Sequence, residues 1–232
     1  MIRLAVFDLD GTLAPLGKPV APETVALLHQ LENTGVRIAL CSGKPTYYLC
    51  GFARQLGLAD PILVGENGAV IQLGVDLPPR EYRILPYSQA ARQSIRHLRK
   101  EIDAAVPGLW YQPNEVGLTP FPTTAEEFDR IAECVEQHKA QLADIEIYRH
   151  SDSFDITPKG ISKATGLAFL SDWLGISSED TVAIGDGVND YPMFAWAGLA
   201  LGIRVQDTRR VSRNFDSPAE AIRYLLKISE RS

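Results

Sequence analysis

The chain is organised around one stretch near its N-terminus, Ala5-Val6-Phe7-Asp8-Leu9-Asp10-Gly11-Thr12-Leu13. The apolar run before Asp8 is typical of a strand in a parallel sheet, which is buried on both faces. Asp and Gly are depleted in strands, so the change of composition at Asp8 predicts the C-terminal end of this strand. Ligands bind at that end of the strands in open parallel sheets. The stretch therefore predicts a core strand and one edge of a binding site.

Two carboxylates close this stretch, and they need a partner. Asp8 and Asp10 can point the same way because side chains alternate along a strand. At a separation of ~4 Å and an effective dielectric of ~20, their repulsion costs about 4 kcal/mol. A divalent cation that prefers hard oxygen ligands, most simply Mg²⁺, removes that cost. The alternative is a turn in which Asp10 caps backbone amides and Gly11 adopts an unusual dihedral angle.

The composition predicts a globular protein with a large core. Of 232 residues, 45% are hydrophobic and 22% are charged, which suits one domain or two. A formal net charge of −6 argues against non-specific nucleic-acid binding, which needs a basic surface. No apolar run reaches the ~20 residues of a membrane helix, and the first run breaks too early for a signal peptide.

The cysteines extend this expectation to the compartment. The chain has 3 cysteines without CxxC spacing, which predicts reduced thiols rather than a disulfide framework or a zinc site. We therefore expect a cytoplasmic protein, monomeric or homodimeric, with no membrane or nucleic-acid partner.

Strand and helix patterns alternate in the first part of the chain. Apolar strand segments at 4–7, 36–40 and 61–64 are separated by amphipathic segments that begin at Pro22 and Pro45. A turn at residues 66–68 then predicts a hairpin. This alternation favours an α/β fold, with a Rossmann-like parallel sheet and right-handed crossovers.

The pattern changes in the middle of the chain and then returns. A helix, two strand-like segments, a second helix and two more strand-like segments indicate an α+β unit with an antiparallel sheet. The α/β pattern returns near Lys159, and a buried strand at 180–184 ends in the polar run GDGVND. We therefore predict a Rossmann-like core of residues 1–79 and 156–232, with an inserted α+β cap domain at 80–155.

Four motifs at the predicted strand and helix ends resemble those of the haloacid dehalogenase (HAD) superfamily of phosphotransferases. They are Asp8-x-Asp10-Gly11-Thr12, Ser42-Gly43, Lys163 and Gly185-Asp186-Gly187-x-Asn189-Asp190. The resemblance spans nearly the whole chain. Residues 66–69 and 160–163 are similar to the Cof-like and sucrose-phosphatase-like branch, and the insert is similar to its C2-type cap. The short cap resembles that of archaeal-type phosphoglycolate phosphatases.

The resemblance implies a role for each motif residue. Asp8 is the nucleophile that would form an aspartyl phosphate, and Asp10 is the general acid and base. Mg²⁺ would lie between the Asp8 carboxylate, the Asp10 backbone carbonyl and Asp186, with Asp190 supporting that shell. Lys163 would offset the negative charge of the substrate and the carboxylates.

A second set of residues is expected to bind the phosphate or the substrate. This set comprises Gly11, Thr12, Ser42, Gly43, Lys44, Asn67 and Asn189. Alternatives remain open for several of these interpretations. Ser42 could instead cap a helix, and the two asparagines could serve the dihedral angles of turns. Lys159, four residues before Lys163, is its rival for the lysine position.

The chain departs from the family pattern at two places. Lys44 stands where Arg is usual, and residues 202–204, Gly-Ile-Arg, replace the usual Gly-Asn-Ala. Both departures put the identity of the substrate in question. The arginines at 204, 209, 210 and 213 are interpreted as a solvated loop, and Cys41 as a buried thiol.

These observations predict an Mg²⁺-dependent phosphatase that hydrolyses a small phosphorylated metabolite, of the phosphoglycolate or sugar phosphate class. The alternatives are a phosphomutase of the phosphomannomutase type and a catalytically silent phosphate-binding protein. Among the cap residues, we expect Trp110, Glu115 and Arg149 to contact the substrate.

Overall fold

The computed structural model describes residues 1–229, and it builds one large sheet with helices on both faces and an insert. The strands are β1 (Leu4–Phe7), β2 (Arg37–Cys41), β3 (Ile62–Gly65), β4 (Val70–Leu73), β5 (Glu81–Ile84), β6 (Trp110–Gln112), β7 (Thr119–Phe121), β8 (Ile145–Arg149), β9 (Phe154–Pro158), β10 (Thr181–Gly185), β11 (Leu199–Ile203) and β12 (Arg213–Phe215). The α-helices are α1 (Pro22–Asn33), α2 (Thr46–Leu56), α3 (Gln89–Ala105), α4 (Ala125–His138), α5 (Lys163–Leu174), α6 (Tyr191–Trp196) and α7 (Pro218–Ser229). Residues 230–232, the end of the predicted core segment 156–232, lie outside the described residues.

The large sheet has eight strands in the order β12-β11-β10-β1-β2-β3-β4-β5. The strands from β12 to β3 are parallel, whereas β4 and β5 are antiparallel to their neighbours. Phe7 at the end of β1 lies opposite Ile184 of β10 and Leu40 of β2. The C-terminal ends of these three strands therefore meet at one edge of the sheet, where the polar motifs begin.

The central strand β1 is buried on both faces because helices cover the sheet from each side. Ala5 and Phe7 belong to the apolar cluster that includes α1, α2 and α7. Leu4 and Val6 belong to the opposite cluster, which includes α5 and α6. The alternation of side chains along the strand thus divides one continuous apolar run between two cores.

Local capping signals set the ends of the helices. The hydroxyls of Ser88, Thr124 and Ser162 accept hydrogen bonds from backbone N–H groups at the starts of α3, α4 and α5. Gly57 and Gly175 end α2 and α5 in the left-handed conformation. The last of these starts matters for function, because α5 begins with Lys163.

The insert between β5 and α5 packs α3 and α4 against short antiparallel strands. β6 pairs with β7, and β8 pairs with β9. A bridge between Leu118 and Ile156 joins the two pairs. Leu98, Ile131 and Phe154 belong to an apolar cluster of the insert itself. The predicted order of helices and strands in this region agrees with the structure.

Two edge strands of the large sheet differ from the sequence prediction. The predicted boundary placed residues 80–155 in the cap, but β5 pairs with β4, so the sheet extends to Ile84. β12 pairs with β11 in a segment interpreted as a solvated loop. Both are short and largely exposed, and edge strands lack the apolar pattern that marks a central strand. The α/β class with a Rossmann-like parallel sheet is confirmed, while the division into two domains stays a prediction.

None of the helices within residues 1–229 combines the length and the apolar character that crossing a membrane requires.

Candidate active site

Three neighbouring strand ends bring polar side chains to one edge of the large sheet. Asp8 follows β1, Ser42 follows β2 and Asp186 follows β10. They line a cavity of about 420 Å³, called the cleft below, which core and insert residues enclose together. The core wall of the cleft consists of Asp8, Asp10, Gly11, Leu16, Ser42, Gly43, Lys44, Asp186, Gly187 and Asn189. The structure thus assembles most of the predicted site residues in one place.

Lys163 begins α5, and its ammonium group is buried between two carboxylates. Its Nζ donates to Asp8 Oδ1 at 2.5 Å and to Asp190 Oδ1 at 2.6 Å. Burial by itself lowers the pKa of Lys163, but the charges of Asp190 and Asp8 raise that pKa above its usual value. The lysine therefore stays charged. Lys159 is exposed and has no contact with these carboxylates, so the structure favours Lys163 over its rival.

Asp8 combines deep burial with one unbound oxygen. Burial raises the pKa of Asp8 to about 7, while the charge of Lys163 acts in the opposite direction. Lys163 binds Oδ1, and no residue within 1–229 donates a hydrogen bond to the other carboxylate oxygen. Cys41 lies on the strand next to it, and burial raises the pKa of this thiol to about 12. Cys41 is therefore a buried protonated thiol, as interpreted from the sequence.

Asp190 is a supporting residue of the loop after β10. Its Oδ2 accepts the backbone N–H groups of Asp186 and Gly187, both at 2.9 Å, and its Oδ1 accepts from Lys163. Asp190 is fully buried and is not part of the cleft lining. Both of its oxygens are thus engaged by the protein. The structure places Asp190 behind Asp186 and outside the cleft lining, and its role at a metal stays a prediction.

Thr12 holds Asp186 and does not reach the cleft. Thr12 Oγ1 donates to Asp186 Oδ1 at 2.8 Å, and Thr12 is buried. Its hydroxyl is engaged by the carboxylate, and its contact with phosphate stays a prediction. Gly11 has a φ of +89°, and a Cβ there would collide with the Asp186 carboxylate. Burial raises the pKa of Asp186, and the hydrogen bond from Thr12 opposes that rise.

Asp10 and Lys44 lie opposite each other on the core wall. Asp10 is half-buried, and its Oδ2 lies 3.9 Å from Lys44 Nζ. The Lys44 ammonium also lies 5.6 Å from the ring centroid of Phe121, which the insert contributes. Lys44 thus places a positive charge at the cleft, where the family pattern has Arg.

Ser42 and Gly43 form a turn that faces the cleft. Ser42 Oγ accepts the backbone N–H of Lys44 at 3.2 Å, while the N-cap of α2 is Pro45. The alternative role of Ser42 as a helix cap is therefore wrong. The carbonyl of Gly43 accepts from Gln112 Nε2 of the insert at 2.9 Å. This contact is one of those that join the two walls.

The insert wall of the cleft contains residues that the sequence did not single out. They are Gln112, Thr119, Phe121, His150, Ser151, Asp152, Ser153 and Asp155. Trp110 and Glu115, expected to contact the substrate, are not among the lining residues. Trp110 packs on Phe121 with ring centroids 5.3 Å apart, and Arg149 lies in a neighbouring cavity of about 520 Å³. The alternating pattern of a strand indicates which of its side chains share a face. It does not show which short loop contributes side chains to the cleft.

Asp155 connects the insert wall to the core. Its carboxylate accepts from Asn67 Nδ2 at 2.9 Å and Thr119 Oγ1 at 3.0 Å, and His150 Nε2 lies 3.2 Å away. Burial by itself raises the pKa of Asp155, but the hydrogen bonds from His150 and Asn67 bring it below its usual value. The hydrogen bond to Asp155 in turn raises the pKa of His150. These four side chains form a charged network at the junction.

The two asparagines of the predicted site have different positions. Asn67 has a φ of +54° and, through Asp155, serves the junction; it lines the neighbouring cavity and not the cleft. The dihedral interpretation of Asn67 therefore agrees with the structure. Asn189 is exposed and lines the cleft, where it can reach a ligand.

Glu66 forms a second junction between core and insert. Its buried carboxylate accepts the backbone N–H groups of Glu115, Val116 and Gly117 at 2.7, 2.8 and 3.0 Å. Burial raises the pKa of Glu66, and these hydrogen bonds oppose the rise. A glutamate in a turn carries no sequence signal for this role, since its partners are backbone groups some fifty residues away.

Arg204 is exposed in the loop after β11, as interpreted from the sequence, and its guanidinium donates to the carbonyl of Gly11 at 3.4 Å. Arg209 and Arg210 agree with the interpretation, because both are exposed and pair with Asp207. Arg213 lies in β12 and stacks on Tyr224.

The carboxylates at this edge fit a hard divalent cation. Oxygens of Asp8, Asp186 and Asp190 lie within 4.8 Å of one another, and the first two line the cleft. All the available donors here are oxygens, which suits Mg²⁺ better than thiol- or imidazole-preferring ions. The residues present therefore fit the predicted cofactor.

Comparisons with known proteins agree with the motifs. Residues 5–107 and 108–206 match the model of the haloacid dehalogenase-like hydrolases. Over 98% of its length the chain is 25% identical to a phosphoglycolate phosphatase of Methanopyrus kandleri, of which 98% is covered. It is also 25% identical, over 87% of its length, to 83% of an HMP-PP phosphatase of Yersinia pseudotuberculosis.

A solved structure shows the same fold. The crystal structure of a haloacid dehalogenase-like hydrolase from Bacteroides thetaiotaomicron superposes with a TM-score of 0.79 at 20% identity. The match covers 97% of this chain and 100% of that chain. The predicted enzyme class, a phosphoric monoester hydrolase, is confirmed by these comparisons together. The chain belongs to the haloacid dehalogenase-like hydrolase family.

Proposed function

We propose that this hydrolase is an Mg²⁺-dependent phosphomonoesterase that acts on a small metabolite through an aspartyl phosphate on Asp8. One observation carries the proposal. The Asp8 carboxylate is held by Lys163 through one oxygen, lines the cleft and has its other oxygen free of hydrogen bonds within residues 1–229. A fixed carboxylate with one available oxygen is the arrangement that nucleophilic attack on phosphorus requires.

The reaction has two steps. In the first, the free oxygen of Asp8 attacks phosphorus in line, the bond from phosphorus to the leaving oxygen breaks, and protonated Asp10 gives its proton to that oxygen. In the second, Asp10 takes a proton from water, whose oxygen attacks phosphorus. The bond from phosphorus to Asp8 then breaks, which releases inorganic phosphate and restores the carboxylate.

The rest of the core wall manages charge and orientation. Lys163 favours the ionised form of Asp8 against the effect of burial and orients its carboxylate. The Ser42 hydroxyl and the amides near Gly11 and Gly43 would bind phosphate oxygens. Asp8, Asp186 and the Asp10 carbonyl would hold Mg²⁺, with Asp190 behind them. When bound, the ion supplies positive charge that offsets the repulsion between the carboxylates and the phosphate.

The insert wall is proposed to select the leaving group. A cleft of about 420 Å³ suits a small phosphorylated acid or sugar better than a protein or nucleic acid. The part of the leaving group beyond the phosphate would meet Gln112, Phe121 and the loop at residues 150–153. The names of the two curated relatives, phosphoglycolate phosphatase and HMP-PP phosphatase, indicate substrates of this size.

A phosphomutase remains the second candidate, because the same aspartyl phosphate could return its phosphoryl group to a sugar hydroxyl. The two activities differ in the final acceptor, which is water or substrate. Release of inorganic phosphate in proportion to substrate consumed supports the phosphatase. Formation of an isomeric phosphate ester without release would establish the mutase.

The test combines a substrate panel with a direct search for the intermediate. Phosphoglycolate, sugar phosphates and phosphorylated pyrimidines are incubated with the enzyme, with Mg²⁺ and with a chelator. An acid quench of Asp10→Asn with p-nitrophenyl phosphate should then show one phosphoryl group on the peptide that contains Asp8. Asp10 is the base of the second step, so its loss should let the intermediate accumulate. Turnover without Mg²⁺, or a phosphoryl group on another residue, would contradict the proposal.

A further inference from the structure

Three metal-ligating side chains meet on the insert, outside the cleft. His97 and Glu101 lie one turn apart on α3, and His138 is the last residue of α4. One donor atom from each lies within 4.8 Å of the other two, and all three side chains are half-buried. None of them lines the cleft or belongs to the motifs that define the hydrolase.

The distances from the two histidine nitrogens to the Glu101 oxygens are too long for hydrogen bonds and leave room for an ion. His97 Nδ1 lies 3.7 Å from Glu101 Oε1, and His138 Nε2 lies 3.7 Å from Glu101 Oε2. Both separations exceed the range of an N–H···O hydrogen bond. Zn–N and Zn–O bonds of about 2.0–2.2 Å in tetrahedral geometry put neighbouring donors roughly 3.3–3.5 Å apart. Small side-chain adjustments would therefore bring the three donors around one ion.

The tautomer of His138 is already suitable for a ligand. Its Nδ1 lies 2.9 Å from the carbonyl oxygen of Cys134. Because a carbonyl only accepts, Nδ1 carries the hydrogen, and the lone pair of the neutral ring is on Nε2, the nitrogen next to Glu101. A backbone carbonyl that fixes the second ring nitrogen is the usual arrangement around metal-binding histidines.

His97 supplies an independent observation. Its Nε2 is buried and has no hydrogen-bond partner, and Nδ1 makes no hydrogen bond within residues 1–229 either. Nδ1 is the nitrogen that faces Glu101, so it is the one that can serve as a ligand, and no hydrogen bond from that part of the chain engages it. A pair of His–Glu ion pairs would leave the separations of 3.7 Å without a reason.

We propose that His97, Glu101 and His138 bind a transition-metal ion of the zinc class, which joins α3 to α4 on the insert. Two neutral imidazoles and one carboxylate suit Zn²⁺, Ni²⁺ or Cu²⁺ and not Mg²⁺, which distinguishes this site from the all-oxygen edge of the cleft. Cys134 Sγ lies 3.9 Å from His138 Nδ1, the ring nitrogen that does not face Glu101, so water and not this thiol completes the shell. An ion bound only by the folded chain stabilises it.

The experiment counts zinc in the presence of excess Mg²⁺, which competes for the carboxylates of the cleft. Equilibrium dialysis with Zn²⁺ is run on the full-length chain, on His97→Ala and on His138→Ala, together with thermal unfolding. The matched control is His29→Ala, since His29 also lies beside a glutamate of its own helix, at 3.9 Å from Glu32, but belongs to no such cluster. The wild type and the control should retain one zinc per chain and a raised Tm.

Both cluster variants should lose that zinc and the zinc-dependent rise in Tm, while their Tm without metal stays close to that of the wild type. Cobalt adds a second readout, because Co²⁺ at the site should show visible absorption that His138→Ala lacks. If His138→Ala does not fold, His138→Gln removes the imidazole with less change of shape. Zinc retention that is equal in the cluster variants and the control, or a wild type that retains none, would overturn the proposal.

Discussion

The two walls of the cleft are built by different means. On the core wall, the reacting groups lie at the ends of buried parallel strands, and a buried ammonium group fixes Asp8 and Asp190. On the insert wall, the lining residues come from three strands and a loop, and side chains such as Asp152 are exposed. The difference supports the proposal that rigid elements carry the chemistry and that a more exposed surface distinguishes substrates.

Glu66 and Asp155 hold the two walls together. Glu66 is a buried carboxylate that accepts three backbone N–H groups of the insert. Asp155 is half-buried on the insert side and accepts one hydrogen bond across the junction, from Asn67. Substitutions on the core wall should therefore reduce turnover of every substrate alike. Substitutions at the junction or on the insert wall should alter stability or the ratio between substrates.

The largest expected effect is that of Asp8→Asn. The amide cannot attack phosphorus, so turnover should fall by on the order of 10⁴-fold or more with every ester, as for other lost nucleophiles. Release of inorganic phosphate measures the loss, and circular dichroism checks the fold. Turnover that remained near the wild-type value would show that Asp8 is not the nucleophile.

Lys163→Met should damage both turnover and stability. Removal of the ammonium leaves two buried carboxylates facing each other, and breaking a buried ion pair costs about 3–5 kcal/mol. Urea unfolding and phosphate release measure the two effects. The control is Lys159→Met, four residues earlier and exposed, which should change the free energy of unfolding by less than about 0.5 kcal/mol. The reverse result would show that Lys159, and not Lys163, is the lysine of the active site.

Asp10→Asn should lower kcat by roughly 10²–10⁴-fold, the usual contribution of a general acid and base. The loss should be smaller with p-nitrophenyl phosphate than with alkyl esters, because a good leaving group needs less protonation in the first step. Steady-state kinetics with both substrates measure the difference. An equal loss with the two esters would leave only a structural role for this carboxylate.

Glu66→Gln tests the junction between the core wall and the insert wall. The neutral amide keeps the shape but weakens three charge-assisted hydrogen bonds, so the free energy of unfolding should fall by about 1–3 kcal/mol. The ratio of kcat/KM between two substrates should change more than in Lys159→Met. Glu115→Gln serves as the control, because the Glu115 side chain bonds Tyr82 at the surface while its backbone still reaches Glu66. Equal destabilisation by Glu66→Gln and Glu115→Gln would contradict the stabilising role of the Glu66 carboxylate at the junction.

The smallest effect is a pH dependence that His150 adds to stability. The hydrogen bond to Asp155 raises the folded pKa of His150 above its ordinary 6.5, so the folded state holds this proton more tightly. The stabilisation should be fully present below pH 6.5 and should be lost as the pH rises through the folded pKa. The Tm difference between wild type and His150→Gln, measured from pH 5 to 9, should therefore shrink with rising pH. A difference that grows with pH would reverse the sign of the coupling.

The same comparison explains how much the sequence could show. Asp8, Asp186 and Lys163 were predictable because each follows or begins an element with a clear apolar or capping pattern. Thr12 belongs to a recognisable motif, but only three-dimensional contact shows that its hydroxyl donates to Asp186. Gln112 and Phe121 of the insert wall come from strands of three residues. A strand this short has too few residues for an alternating pattern to show which side chains face the cleft.

The junction was beyond sequence reasoning for a related reason. Glu66 binds backbone amides, which every residue possesses, so no residue type marks its partners. Arg204 is exposed, as the run of arginines indicated, but no sequence signal shows that its guanidinium reaches the Gly11 carbonyl.

The position of β1 in the sheet has a consequence for synthesis of the chain. One neighbour of this strand, β2, emerges soon after it, but the other, β10, begins at Thr181. In a nascent chain that ends within the insert, one edge of β1 therefore has no partner strand. The face of β1 that carries Leu4 and Val6 is also exposed, because α5 and α6 have not yet been made. Such edges invite pairing with other chains, so we expect ribosome-bound fragments up to about residue 160 to aggregate or to recruit a chaperone.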